Sequence, residues 1–314
     1  MSLLLKFNLL VTALFGLVIF VWGSIAGFGF PPLDHYTASG ILAAVFGAAA
    51  LFYTFLRPDR KIADPCWVLM AYALFMPVMI MFSYLPASLN FPLADAALAR
   101  TDQMLGFNWL DAVHWFVTLP DWVSIASSKL YNSTHWAMLV VAGFLIFSGR
   151  HRQLDEYLTL FILTGLITCA ISGFLPAETA LEYFKPDAAT YERLSPIVGN
   201  GYMSDFHALR DGSLRQLKLL GVQGIVSFPS FHMVLAMLLI YVMRGTGIFF
   251  AITVVWNVGI MLTIPFDGAH YLTDIIGGAV LMVTCIYFIR WLEPWLAATW
   301  SKQLKEPQLV PQPQ

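Results

Sequence analysis

The sequence predicts an all-α integral membrane protein of about eight transmembrane helices. Three observations predict it. The 314-residue chain is 59% hydrophobic and 11% charged, where a soluble domain carries about 25% charged residues. Its mean hydropathy is +0.72, more apolar surface than a chain of this size can hide inside itself, so lipid must cover it. The apolar residues are also gathered into long runs broken by short polar connections.

Runs long enough to cross a bilayer need about 17–25 residues. They lie near 7–27, 38–56, 66–86, 131–148, 157–175, 230–244, 247–265 and 271–292. The first follows Lys6 as a signal peptide would, but its length and the lack of an A-x-A-like cleavage site make it a retained span. The sixth is short and starts at Ser230 and Phe231. Between spans three and four, "MLGFNWLDAVHWFVTLPDW" repeats Leu105, Trp109, Val113 and Phe116 at helical spacing, with Asn108, Asp111 and His114 opposite and Pro120 at the end. That pattern predicts a helix lying in the membrane interface. The end of the chain, "KQLKEPQLVPQPQ", has no apolar period, and residues 299–314 read as a disordered cytoplasmic tail.

Basic residues set the orientation. Lys6, Arg57, Arg60, Lys61, Arg150, Arg152, Arg244, Arg290, Lys302 and Lys305 fall on one side, and the short connections opposite hold only Arg100 and Lys129. By the positive-inside rule both termini are cytoplasmic and the long loop before residue 230 is outside. The compact loops suit a bacterial inner membrane. A net charge of −2 gives no footprint for a nucleic-acid partner. Cys66, Cys169 and Cys285 sit in apolar runs, with neither metal-site nor disulfide spacing.

Two stretches carry the chemistry. In "FPSFH", Pro229 suits a helix start, Ser230 can cap the free N–H groups, and His232 follows just inside. In "DGAHYLTD", His270 and Asp274 are four apart and share one helix face. A carboxylate on one imidazole nitrogen fixes the tautomer and frees the other nitrogen as nucleophile or base. Both histidines stand at outer helix ends. Helix N-termini attract anions, and Arg210, Arg215 and Lys218 arrive shortly before the first stretch. Histidines, cations and helix starts suit a phosphate group. No metal or other cofactor is called for. Tyr131 and His135 start span four within reach of the site, although interfacial anchoring accounts for the tyrosine.

"PSFH" followed by "HYLTD" resembles the type 2 phosphatidic acid phosphatase (PAP2) superfamily, over the six spans of residues 66–292. The resemblance implies a six-helix PAP2-like core, a catalytic membrane domain over 66–298, and two additional N-terminal spans in 1–65. It implies a metal-independent reaction in which His270 attacks phosphorus to form a phosphohistidine, Asp274 orients it and His232 protonates the leaving group. Ser230 and neighbouring N–H groups would hold phosphate oxygens, with Arg210, Arg215 and Lys218 replacing cations the family carries elsewhere. The family's K-x6-R-P motif is missing, and Ile264 stands where an Arg usually precedes the third motif. "ALRDGSLRQL" upstream of "FPSFH" looks most like the branch with inositol phosphorylceramide synthases, which transfer a phosphorylated head group between lipids. The implied partner is a membrane lipid: a phospholipid, a polyprenyl phosphate or a sphingolipid acceptor. The rival class is a proton-coupled lipid transporter or a non-catalytic lipid-binding protein, against which stand the absence of an obvious internal repeat or of paired broken helices and the small number of mid-membrane charges.

Overall fold

Long apolar stretches satisfy their own backbone as helices, since hydrocarbon offers no hydrogen-bond partner. The computed structural model describes residues 1–194, 201–221 and 224–303, and among them it holds helices and no strand, only an isolated bridge between Gly29 and Gln216. The helices are α1 (Leu3–Ile25), α2 (Thr37–Leu51), α3 (Arg60–Ala87), α4 (Asp95–Met104), α5 (Trp109–Phe116), α6 (Asp121–Asn132) and α7 (Thr134–Phe147). They continue as α8 (His151–Phe174), α9 (Ala180–Phe184), α10 (Ala188–Leu194), α11 (Gly201–Asp211), α12 (Phe231–Val242), α13 (Ile248–Asp267) and α14 (Leu272–Gln303). Residues 304–314 of the expected tail lie outside the described residues.

Among the described residues, six helices are long and apolar enough to cross a membrane, against the expected eight. The difference has two sources. The expected span 131–148 is the second arm of a bent pair, α6 and α7, which meet at 46° and make a seventh span if counted as one. The expected sixth span is α12, only 12 residues. At 1.5 Å per residue that is about 18 Å, short of a hydrocarbon core of about 30 Å.

α8 is the central helix, with 72% of its apolar window buried, and α3, α12 and α14 pack around it. α1 packs on α3 and α8, and a buried hydrogen bond from Asn8 Nδ2 to Thr159 Oγ1 (3.0 Å) ties it to α8. α2 packs on α3 and is otherwise open, with 6% of its window buried. The connection after α1 reaches the segment that leads to the first motif: Gly29 N donates to Arg215 O (2.7 Å) and Leu217 N to Gly29 O (2.9 Å).

The short helices close the end of the bundle where α12 and α14 begin. Asn108 caps α5 by accepting from Leu110 N (3.0 Å) and Asp111 N (3.4 Å). The expected apolar face of α5 is real, but it docks on protein rather than lying open to lipid. Trp109, Val113 and Phe116 are buried, Trp109 Nε1 donates to Pro265 O (2.8 Å), and Phe116 stacks on Phe266 at 4.2 Å. Leu105 belongs to the end of α4 instead and is 55% exposed.

Candidate active site

The site is built where two helices start side by side. Gly278 allows it: a Cβ there would run into the Ser230 carbonyl, and one on Gly277 would sit 2.9 Å from the Phe228 ring. With both absent, Ser230 N donates to the Asp274 carbonyl at 3.0 Å, joining the start of α12 to the first turn of α14.

His270 lies just ahead of α14, in the turn after α13. Ala269 takes a left-handed φ of 52° there, which turns the chain so that His270 Nδ1 meets Asp274 Oδ2 at 2.9 Å. The expected shared helix face is therefore a contact across the helix start. Asp274 Oδ2 also accepts from Tyr271 N (3.2 Å), so one carboxylate both caps α14 and orients the imidazole. His270 is 6% exposed and Asp274 fully buried.

His232, in the first turn of α12, turns its Nδ1 to the Tyr131 hydroxyl at 3.0 Å. The two rings stack 4.0 Å apart, and His135 stands edge-on at 6.4 Å. His232 and His270 line one cavity of about 780 Å³, together with Tyr131, Asn132, His135, Tyr202 and Ser227. Met76, Met79, Gly165 and Leu235 also line it, as do Tyr72 and Phe161, whose rings are 5.6 Å apart. The lining thus mixes polar and apolar side chains.

Two further carboxylates hold the "HYLTD" segment. Asp102 Oδ2 accepts from Leu272 N (2.8 Å), and its Oδ1 from Thr273 N (2.8 Å) and Thr273 Oγ1 (2.5 Å). Asp95 accepts from the Tyr271 hydroxyl (3.0 Å) and Glu178 N (3.1 Å). Burial raises the Asp95 carboxyl above its ordinary range, partly offset by the Glu178 N–H and the Tyr271 hydroxyl. Burial, followed by the neighbouring Asp95 carboxylate, also raises the Tyr271 phenol. Asp267, at the end of α13, accepts from Ser127 and from Ser128 (2.6 Å), fastening α6.

Of the residues expected at the site, His270, Asp274 and His232 come together. Ser230 is fully buried; its hydroxyl makes no cap and has no partner. Arg210, Arg215 and Lys218 do not line the cavity. Arg210 donates to Phe91 O (2.9 Å), with burial lowering its pKa, and Arg215 lies 5.2 Å over the Phe28 ring. Lys218 pairs with Asp205 at 2.7 Å. Their sequence proximity to the motif ends in these contacts because α11 and its following loop turn toward α3 and the loop after α1. The aspartates 95, 102 and 267 escaped sequence reasoning, since each acts on a segment more than a hundred residues away.

The structure is thus a helical membrane bundle in which two histidines, one of them paired with a buried aspartate, line one cavity. A family model described as the PAP2 superfamily matches residues 96–288, well over half of the chain, and the protein belongs to that superfamily. Comparison with curated proteins and with solved structures gave no match. Membership carries the superfamily's general chemistry, phosphatase or phosphotransferase action on a phosphorylated lipid. The match starts after α3, so α1, α2 and α3 lie outside it.

Proposed function

We propose that this protein transfers a phosphoryl or head-group phosphoryl unit from a lipid, through a phosphohistidine on His270, to water or to an alcohol on another lipid. One observation carries the reading: His270, paired with the buried Asp274 at 2.9 Å, lines the same cavity as His232. Asp274 holds the proton on His270 Nδ1, which leaves Nε2 with its lone pair for attack on phosphorus. As the phosphorus–oxygen bond breaks, protonated His232 gives its Nε2 proton to the leaving oxygen. The acceptor then enters, His232 takes its proton, and the acceptor oxygen displaces His270 from phosphorus. Every proton and bond is returned, and no metal takes part.

The cavity lining supports head-group transfer over monoester hydrolysis. Among the described residues it holds no Lys or Arg, so a singly charged phosphodiester is easier to accommodate there than a dianionic monoester. In their present places Arg210, Arg215 and Lys218 are engaged elsewhere, and Ser230 does not line the cavity; Ser227, Asn132 and Tyr202 do, with the Ser227 hydroxyl turned to Asp274 Oδ2 (3.5 Å) and the Tyr202 hydroxyl to Glu178 O and Thr179 Oγ1 (3.2 Å each). We assign the site to the outer leaflet, with both termini cytoplasmic and α1–α2 added to a catalytic bundle, on the distribution of basic residues.

The test uses purified protein in detergent with a chelator, given mixed phospholipids and polyprenyl phosphates. Free phosphate and new lipid species are followed for wild type and His270→Ala. The expected outcome is a new head-group-bearing lipid formed by wild type and lost in the variant, a drop of about 10³-fold or more. Free phosphate alone, lost in the variant, would make the protein a phosphatase. Equal traces from both proteins would remove His270 as nucleophile and bring forward the transport reading.

A further inference from the structure

Tyr131 belongs to neither motif. It is the penultimate residue of α6, at the 46° bend into α7, and is 5% exposed. Its carbonyl accepts from Thr134 Oγ1 (2.8 Å), which fastens the bend, and Ser127 and Ser128 one turn earlier anchor α6 to Asp267. The phenol is thus delivered rigidly. A Cβ on Gly268 would lie 2.9 Å from Tyr131 Oη and 2.7 Å from His270 Cδ2, so the hydroxyl and the nucleophile's ring close on the same point. The groups facing His232 are Tyr131 from α6, His135 from α7 and His270 from the turn before α14. Only Tyr131 is within hydrogen-bond distance of it among the described contacts.

We propose that Tyr131 is the positioning residue of His232, doing with a neutral hydroxyl what Asp274 does for His270 with a carboxylate. The proposal rests on the histidine chemistry above. His232 works as acid and base only if Nε2 exchanges the proton while Nδ1 keeps its own. The Nδ1–H needs an acceptor in both the neutral and the charged form, and Tyr131 Oη is placed to be it. A hydroxyl fixes the ring without adding a negative charge. His232 therefore releases its proton more readily than a carboxylate-paired histidine would. The two imidazoles are set apart in role by their partners.

The full-length protein, labelled with ¹⁵N-histidine in lipid nanodiscs, decides this. His232 is assigned by difference from His232→Gln. Wild type is expected to show the Nδ1–H tautomer at His232. Tyr131→Phe keeps the ring stack and loses Oη, and is expected to show a mixture of tautomers. On a fluorescent phosphatidylinositol its kcat falls about 10- to 100-fold with KM unchanged, a fraction of what acid–base catalysis supplies. Should that variant not fold, 3-fluorotyrosine at position 131 weakens the acceptor in place, and the His232 resonances must move. An Nε2–H tautomer in wild type, or a His232 spectrum indifferent to residue 131, overturns the proposal, as does an unchanged kcat. Wild type inert on the lipid, with the tautomer still governed by residue 131, would sustain the positioning role and sink the lipid reaction instead.

Discussion

At the scale of single residues, the site depends on carboxylates that never face the cavity. Asp102 satisfies the first free N–H groups of α14, a cap of the kind that contributes about 1–2 kcal/mol. Asp102→Ala is expected to lower thermal stability by that amount or more, and to cut activity because the His270 turn loosens; a melt in detergent alongside the lipid assay checks both. Asp95 gives a pH signature. Its folded pKa is raised by burial, so the native protein holds that proton more tightly than the unfolded chain does. The stabilisation is present below the ordinary value of 3.8 and is lost as pH climbs through the raised one. The melting temperature of wild type minus that of Asp95→Asn should accordingly shrink as pH rises through the acid range. A difference that grows with pH would contradict the burial argument.

At the scale of elements, the seam between α12 and α14 is the decisive contact. Gly278→Ala would drive a methyl into the Ser230 carbonyl, and overpacking of this kind costs about 1–3 kcal/mol. The expected result is a destabilised protein whose activity falls further than its stability, since Ser230 N and Asp274 O separate; activity kept at the wild-type level would argue that the seam is slack. How much of this could be read from the sequence follows from what is local. His270 and Asp274 are four apart, and His232 sits in a motif of its own, so these were legible. The long apolar helices were legible from run length. α12 was overextended because its apolar run continues while the helix ends at Val242, before Gly245 and Gly247 with left-handed φ of 74° and 63°. The bend between α6 and α7 was missed, and with it the inward turn of Tyr131, because an aromatic residue at a helix end reads equally well as an interfacial anchor. The cations could not be placed, since their partners Phe91, Phe28 and Asp205 are set by how loops pack rather than by spacing.

At the scale of the whole molecule, the proposed orientation in the membrane rests on the distribution of basic residues. The side chains of Asp187 and Arg152 are 63% and 73% exposed and lie on opposite sides in the proposed orientation. In a background without the three natural cysteines, Asp187→Cys should react with a membrane-impermeant maleimide in intact cells, and Arg152→Cys only after permeabilisation. The reverse pattern would place the cavity mouth in the cytoplasm.

The fastening of the "HYLTD" turn has a consequence for biogenesis. His270, the proposed nucleophile, stands in the turn before α14, and the aspartates that hold that turn, 95 and 102, are 176 and 170 residues earlier than the groups they bind. Those carboxylates must wait, without their final partners, while every intervening helix is inserted. If the proposed reaction holds, the site is assembled only once synthesis has passed the start of α14, and the shorter nascent chain is expected to be inert toward the lipids of the membrane it is entering.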